Sequence, residues 1–194
     1  MKGKLIVIEG TDGSGKSTLA KRICKNFNAV YYREPGSTDV GSKIRDILLH
    51  QSVCQQTEAL LFAASRQEFV NRELIPALES GKNVVLDRYY YSSVIYQGLG
   101  EGNDVNWIKE INCIDKLPDP DLVIVLDPVF DSVAEIANKD VIESKPKSSY
   151  TRVEEGYRHF LSYFPNENAD IISFIEEDRD RVFERVSSVV EEVL

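Results

Sequence analysis

The segment Leu5 to Thr18, LIVIEGTDGSGKST, sets a short apolar run directly before a glycine-rich turn and a stretch with helical periodicity. Gly10, Gly15, Lys16 and Ser17 satisfy the spacing G-x-x-x-x-G-K-[ST] of a phosphate-binding loop. Gly10, Gly13 and Gly15 give the backbone angles that let successive N–H groups converge on phosphate oxygens. A helix starting near Ser14 adds roughly half a positive charge at its N-terminus, and Lys16 can reach the outer phosphates. Ser17 is then positioned to ligate Mg²⁺. A chance glycine-rich turn would not need its context: Leu5–Ile8 form a strand before it, and Leu19, Ala20, Ile23, Cys24 and Phe27 form a helical stripe after it. Nucleotide binding follows.

The 194 residues fit one domain with a substantial core, taken as 1–194 without a linker. A net charge of -9 disfavours a nucleic-acid polymer as partner, because such binding neutralises many phosphates. A small anionic substrate remains open, since a basic pocket can exist on an acidic surface. Cys24, Cys54 and Cys113 are far apart and outside any C-x-x-C spacing, so neither a disulfide framework nor a zinc site is suggested. His50 and His159 are also far apart. The chain enters its first strand too soon for a signal peptide, and no apolar run approaches membrane-spanning length. These features predict a cytoplasmic protein.

Further along, VYYR at 30–33 reads as a second strand closed by Glu34, Pro35 and Gly36. Thr38 can cap a helix carrying Val40, Ile44, Ile47 and Leu48. A long helical pattern runs from Thr57 to Ile75, with Pro76 as a break or restart. Asn83–Leu86 form a third strand, which ends in Asp87 and Arg88. A helix over Ser92–Gln97 follows, and Gly98, Gly100 and Gly102 read as a loop before a helix capped by Asp104. LVIVL at 122–126 has the continuous apolar character of a central parallel strand.

Val129–Ala137 read as a helix. The polar segment 138–149 is either a mobile lid or a solvated loop. Val153, Tyr157, Phe160, Leu161 and Phe164 restore a helical stripe, Ile171–Ile175 form a last strand, and a valine-striped helix closes the chain. Alternating strands and helices predict an α/β fold with a mainly parallel sheet and ligands at the carboxyl ends of the strands, where Gly10, Arg33, Asp87 and Asp127 fall.

Arg33 and Arg88 end two strands beside the loop, where a role with phosphate outweighs a surface ion pair. Arg66 lies one helical turn after Phe62, and its spacing alone argues only weakly for function. EGTDGSGKST at 9–18, REPGST at 33–38, ALLFAASR at 59–66 and DRYYYSSVIYQG at 87–98 together resemble the thymidylate kinase family, in order and separation. The likeness continues through LVIVLD and EGYRHF, covering most of the chain.

The resemblance implies a three-layer P-loop kinase fold, a five-stranded parallel sheet of order 2-3-1-4-5 with helices on both faces and a short lid, and transfer of the ATP γ-phosphoryl group to dTMP. It implies ATP held by Gly10, Thr11, Asp12, Gly13, Ser14, Gly15, Lys16, Ser17 and Thr18. Mg²⁺ would be bound by Ser17 and, through water, by Asp87. Lys16, Asp12, Arg88 and Arg33 would be catalytic, with Asp12 reaching the sugar 3′-hydroxyl and the two arginines holding the acceptor phosphate. Phe62 would stack on thymine, Arg66 would donate to a thymine carbonyl, Gln97 would meet the base edge, and Tyr96 would close the space beside C2′. Family members are commonly homodimers. The chain departs from the family pattern in having no arginine within the phosphate loop or in the lid; Lys139, Lys145, Lys147 and Arg152 are the candidates to substitute. A broader deoxynucleoside monophosphate kinase and a regulatory nucleotide-binding protein are the alternatives.

Overall fold

The computed structural model describes residues 2–127, 146–165, 167–173 and 179–194. Within them, five parallel strands form one sheet of order β2-β3-β1-β4-β5. The strands are β1 (Leu5–Gly10), β2 (Val30–Arg33), β3 (Val84–Asp87), β4 (Leu122–Asp127) and β5 (Ala169–Ser173). β1 is central and wholly buried, in register Leu5↔Val84 with β3 and Ile6↔Leu122 with β4. This explains its unbroken apolar run: a parallel strand covered on both faces has no side left for polar residues.

Alternation along each strand divides the core. Leu5, Val7, Val84, Leu86, Val123 and Val125 face one layer; Ile6, Ile8, Val85, Ile124 and Leu126 face the other. On the second face lie α1 (Lys16–Phe27) and the closing helix, which buries Val182, Val186 and Val190. The first face carries α3 (Gln55–Phe69), α4 (Ile75–Glu79), α5 (Tyr90–Ser93), α6 (Val105–Ile111), α7 (Lys147–Arg158) and α8 (Phe160–Tyr163), with α2 (Asp39–His50) packed on α3; the closing helix is α9 (Arg179–Val193). Thr38 and Asp104 cap α2 and α6 as expected, accepting from the Gly41 N–H and from the Asn106 and Trp107 N–H groups.

Pro76 marks a restart, and three other expectations from the sequence need correction. At Pro76 a π-helical stretch, Val70–Leu74, joins α3 to α4. Ile75 N–H donates to Val70 O, five residues back, and Pro76 sits in the first turn of α4, where its missing N–H is tolerated. Gly98 and Gly100 belong to a second π-helical stretch, Val94–Gly100, rather than to a loop. A Cβ on Gly100 would lie 2.8 Å from Val153 Cγ2, so this glycine lets α7 pack closely, while one on Gly98 would lie 3.3 Å from Val105 Cγ2 of α6. Lys147 to Ser149 form the first turn of α7, not the end of a loop. Leu161, placed on the apolar stripe, is exposed, whereas Val153, Tyr157, Phe160 and Phe164 are buried. The expected helix at 129–137 and most of the expected lid, with Lys139 and Lys145, lie outside the described residues.

Candidate active site

The carboxyl ends of β1, β2 and β3 open into one cavity of about 430 Å³. Gly10 begins the loop at φ 144°, and a Cβ there would lie 2.7 Å from Leu126 O, so two constraints require glycine. Lys16 folds back over the loop and donates to Thr11 O at 2.5 Å. It is 5% exposed. Burial, joined by the nearby Arg88 charge, pulls its ammonium down to about 7, while Asp12, Asp87 and Glu9 oppose the shift.

Strand alternation places Asp87 on the same face as Val85, toward α1. There Ser17 Oγ donates to Asp87 Oδ2 at 2.5 Å, and the Tyr31 hydroxyl donates to the same oxygen at 3.2 Å. A hydroxyl and a carboxylate at the mouth of a phosphate loop form a hard oxygen set suited to Mg²⁺, which usually takes one or two carboxylates and completes its shell with water and phosphate. Among the described residues no group of three or more His, Cys, Asp or Glu could hold a metal by itself.

Arg88 follows β3 with φ 71°, a left-handed conformation that a non-glycine residue adopts only when held there. Its guanidinium donates to Asp12 Oδ1 (2.7 Å), Ser92 Oγ (2.9 Å), Tyr157 OH (3.3 Å) and Tyr96 OH (3.3 Å). Burial alone would raise the Asp12 carboxyl, but the Arg88 and Lys16 charges outweigh it and bring it down to about 2. Tyr96 OH donates to Asp12 Oδ2 at 3.2 Å. Asp12, Arg88 and Tyr96 are thus one assembly.

The remaining candidates divide by environment. Phe62 lines the cavity and is absent from both core clusters, so its apolar ring serves the cavity rather than the core. Arg66 is only 2% exposed; it donates to Ser93 Oγ, Asn112 Oδ1 and Tyr89 O, while its Nε has no partner. Gln97 Nε2 donates to Glu58 Oε1 at 3.0 Å. Arg33 is exposed at the rim, and among the described residues its guanidinium makes no ion pair. Lys147 is exposed on α7, and Arg152 donates to Leu99 O and Gly100 O; neither lines the cavity.

Local spacing does not mark several residues at the site. Glu34 is buried, and neither carboxylate oxygen has a partner; burial pushes its carboxyl up to about 7, with the Arg66 charge offsetting part of the shift. Arg45 lines the cavity and donates to Pro35 O at 3.2 Å. Glu9, Ser92 and Tyr157 surround Arg88 from behind. One signal was available for Glu9: a charge at the end of an otherwise apolar buried strand.

Lys16, Arg33, Arg45, Arg66, Arg88 and Arg179 line the cavity against Asp12, Glu34 and Asp87. A chain of net charge -9 therefore concentrates positive charge where two phosphate-bearing ligands could meet. Residues 8–178 match the family model described as thymidylate kinase. The chain is 37% identical to the thymidylate kinase of Caldicellulosiruptor saccharolyticus, with 100% of this chain and 98% of that protein covered. It is 38% identical to the probable thymidylate kinase of Pyrococcus horikoshii, covering 85% and 86%. The crystal structure of thymidylate kinase from Ehrlichia chaffeensis superimposes with a TM-score of 0.81 at 27% identity, over 98% of this chain and 100% of that one. Sheet order, phosphate loop and sequence likeness together make this chain a member of the thymidylate kinase family.

Proposed function

We propose that this protein transfers the γ-phosphoryl group of ATP to dTMP, giving dTDP and ADP. Arg88 carries the reading: a guanidinium fork held across the cavity from Lys16 and joined to the phosphate loop through Asp12 offers a second phosphate subsite beside the first. Phosphoryl transfer asks the protein mainly to align donor and acceptor and to offset charge on the moving group.

Gly10 to Thr18 cradle the donor phosphates, with Lys16 at the outer ones. Arg88 and Arg33 hold the acceptor phosphate, and Asp12 accepts from the sugar 3′-hydroxyl. Ser17 would hold Mg²⁺, with Asp87 reaching it through water, and the ion when bound would supply positive charge to the phosphate oxygens. At the far end, Phe62 supplies a stacking face, Arg66 donates to a base carbonyl, and Gln97 meets the base edge. The Tyr96 ring, 5.0 Å from Arg88 Cζ, narrows the space at the sugar.

Turnover of a panel of nucleoside monophosphates with Mg·ATP tests this. Fast ADP formation is expected with dTMP, slower with dUMP because one methyl group is worth about 1–3 kcal/mol in an apolar pocket, and near background with AMP and CMP. Equal turnover of dGMP and dTMP would sink it. We further propose that the chain is a cytoplasmic homodimer that uses Lys139, Lys145, Lys147 or Arg152 as its lid cation. Sedimentation at micromolar concentration tests the dimer, and unchanged turnover after alanine replacement of all four would rule out the cation. The free, exposed Cys54 and Cys113 suit a reducing compartment.

A further inference from the structure

Strand alternation turns Glu9 to the same face as Leu5 and Val7, the layer that holds α5 and α7. Its side chain is 0% exposed and has four donors on two oxygens. Oε1 accepts from Tyr89 N–H at 2.7 Å and Ser92 N–H at 3.3 Å. Oε2 accepts from Ser92 Oγ at 2.7 Å and Tyr157 OH at 2.8 Å. Four bonds fill the acceptor capacity of a carboxylate.

The direction of these bonds matters. Each hydroxyl has one proton, and both protons point to Glu9, although the two oxygens lie only 3.0 Å apart. Both hydroxyls are therefore left as acceptors toward Arg88, whose NH1 donates to Ser92 Oγ at 2.9 Å and Tyr157 OH at 3.3 Å. Meanwhile Tyr89 N–H, next along the chain from the left-handed Arg88, is also tied to Glu9. One carboxylate thus secures both the unusual backbone and the orientation of the guanidinium. A Cβ on Gly156 would lie 3.0 Å from Ile95 Cγ2, and this close approach of α7 brings Tyr157 to the site.

We propose that Glu9 is a positioning residue for Arg88, acting through Ser92, Tyr157 and the Tyr89 N–H to hold the fork that receives the acceptor phosphate. This rests on the reading of Arg88 as the acceptor-phosphate residue. Glu9 itself is fully buried and does not line the cavity. Its replacement by Gln puts an N–H₂ where two hydroxyls donate, which reverses both bonds and frees the hydroxyl protons, so the two oxygens are no longer fixed as acceptors toward Arg88.

The test is steady-state kinetics on Glu9→Gln, Tyr157→Phe, Arg88→Lys and the double variant Glu9→Gln/Arg88→Lys. Glu9→Gln is expected to raise KM for dTMP about tenfold while KM for ATP stays within twofold, with a smaller change in the same sense for Tyr157→Phe. In the Arg88→Lys background, Glu9→Gln should add less than twofold, because the group it positions is already gone. A loss of kcat with both KM values unmoved indicates a structural role only and overturns the proposal. So does a full tenfold effect on top of Arg88→Lys. If Glu9→Gln does not fold, Tyr157→Phe and Arg88→Lys with their double variant decide the matter by the same comparison. An Arg88→Lys variant with unchanged KM for dTMP defeats the underlying reading of Arg88, whereas a raised value there with an unmoved Glu9→Gln or Tyr157→Phe defeats this proposal alone.

Discussion

Arg88 donates to Asp12 Oδ1 at 2.7 Å, so the residue that follows β3 and the phosphate loop that follows β1 share one ion pair. This pair joins the loop wall of the cavity to the wall at the end of β3. Asp12→Asn leaves the Arg88 charge without its partner. Because the Asp12 side chain is 33% exposed, the cost should fall below that of a fully buried pair, at about 1–2 kcal/mol. The folded carboxyl is depressed from 3.8 to about 2, so its stabilisation is complete above pH 3.8 and fades as pH falls toward 2. Urea unfolding should show wild type above Asp12→Asn at pH 7, with the gap closing in acid.

Glu34 predicts the opposite slope. Its folded carboxyl is raised from 4.5 to about 7, so between those values the native state binds a proton that the unfolded chain has lost. Stability from this group falls as pH rises through that window, by up to about 3 kcal/mol. Glu34→Gln should remove the slope between about pH 4.5 and 7. An identical slope in both proteins, measured by urea unfolding, would show that Glu34 is not held neutral.

Lys16 titrates at about 7 in the free protein because burial and Arg88 disfavour its charge. Nucleotide phosphates restore that charge. At pH 8 the binding of ATP should therefore take up close to one proton, which calorimetry in buffers of different ionisation enthalpy measures directly. Lys16→Met should bind ATP more weakly and take up none.

Ser17 and Asp87 are 2.5 Å apart and share the proposed metal role. Asp87→Asn keeps the shape and removes the charge. Loss of an outer-shell partner typically costs 10- to 100-fold in metal affinity. Activity titrated with Mg²⁺ should half-saturate at a concentration about tenfold higher or more, with maximal turnover partly recovered at high Mg²⁺.

What was legible in advance was local in the chain. The phosphate loop announced itself because its glycines, lysine and serine are contiguous, and the strands because burial on both faces leaves an apolar run. Arg33 and Arg88 could be placed beside the loop because parallel strands deliver their carboxyl ends to one edge. The π-helical stretches are not legible in the sequence, since an extra residue per turn leaves little trace in apolar spacing, and Pro76 reads as a break or restart whether or not the preceding turn is π-helical.

The sequence by itself determined the doubly covered sheet, the phosphate loop and, through the family resemblance, the residues proposed to hold the acceptor. Tertiary structure alone decided what surrounds them. Glu9 and Tyr157 are 148 residues apart, and only the packing of α7 against the Val94–Gly100 stretch brings them to 2.8 Å. The same holds for Glu34 and Arg66, whose charges interact because β2 and α3 meet at the cavity wall. Hydrogen-bond direction and buried charge depend on which groups share a low-dielectric space, a property that no local spacing encodes.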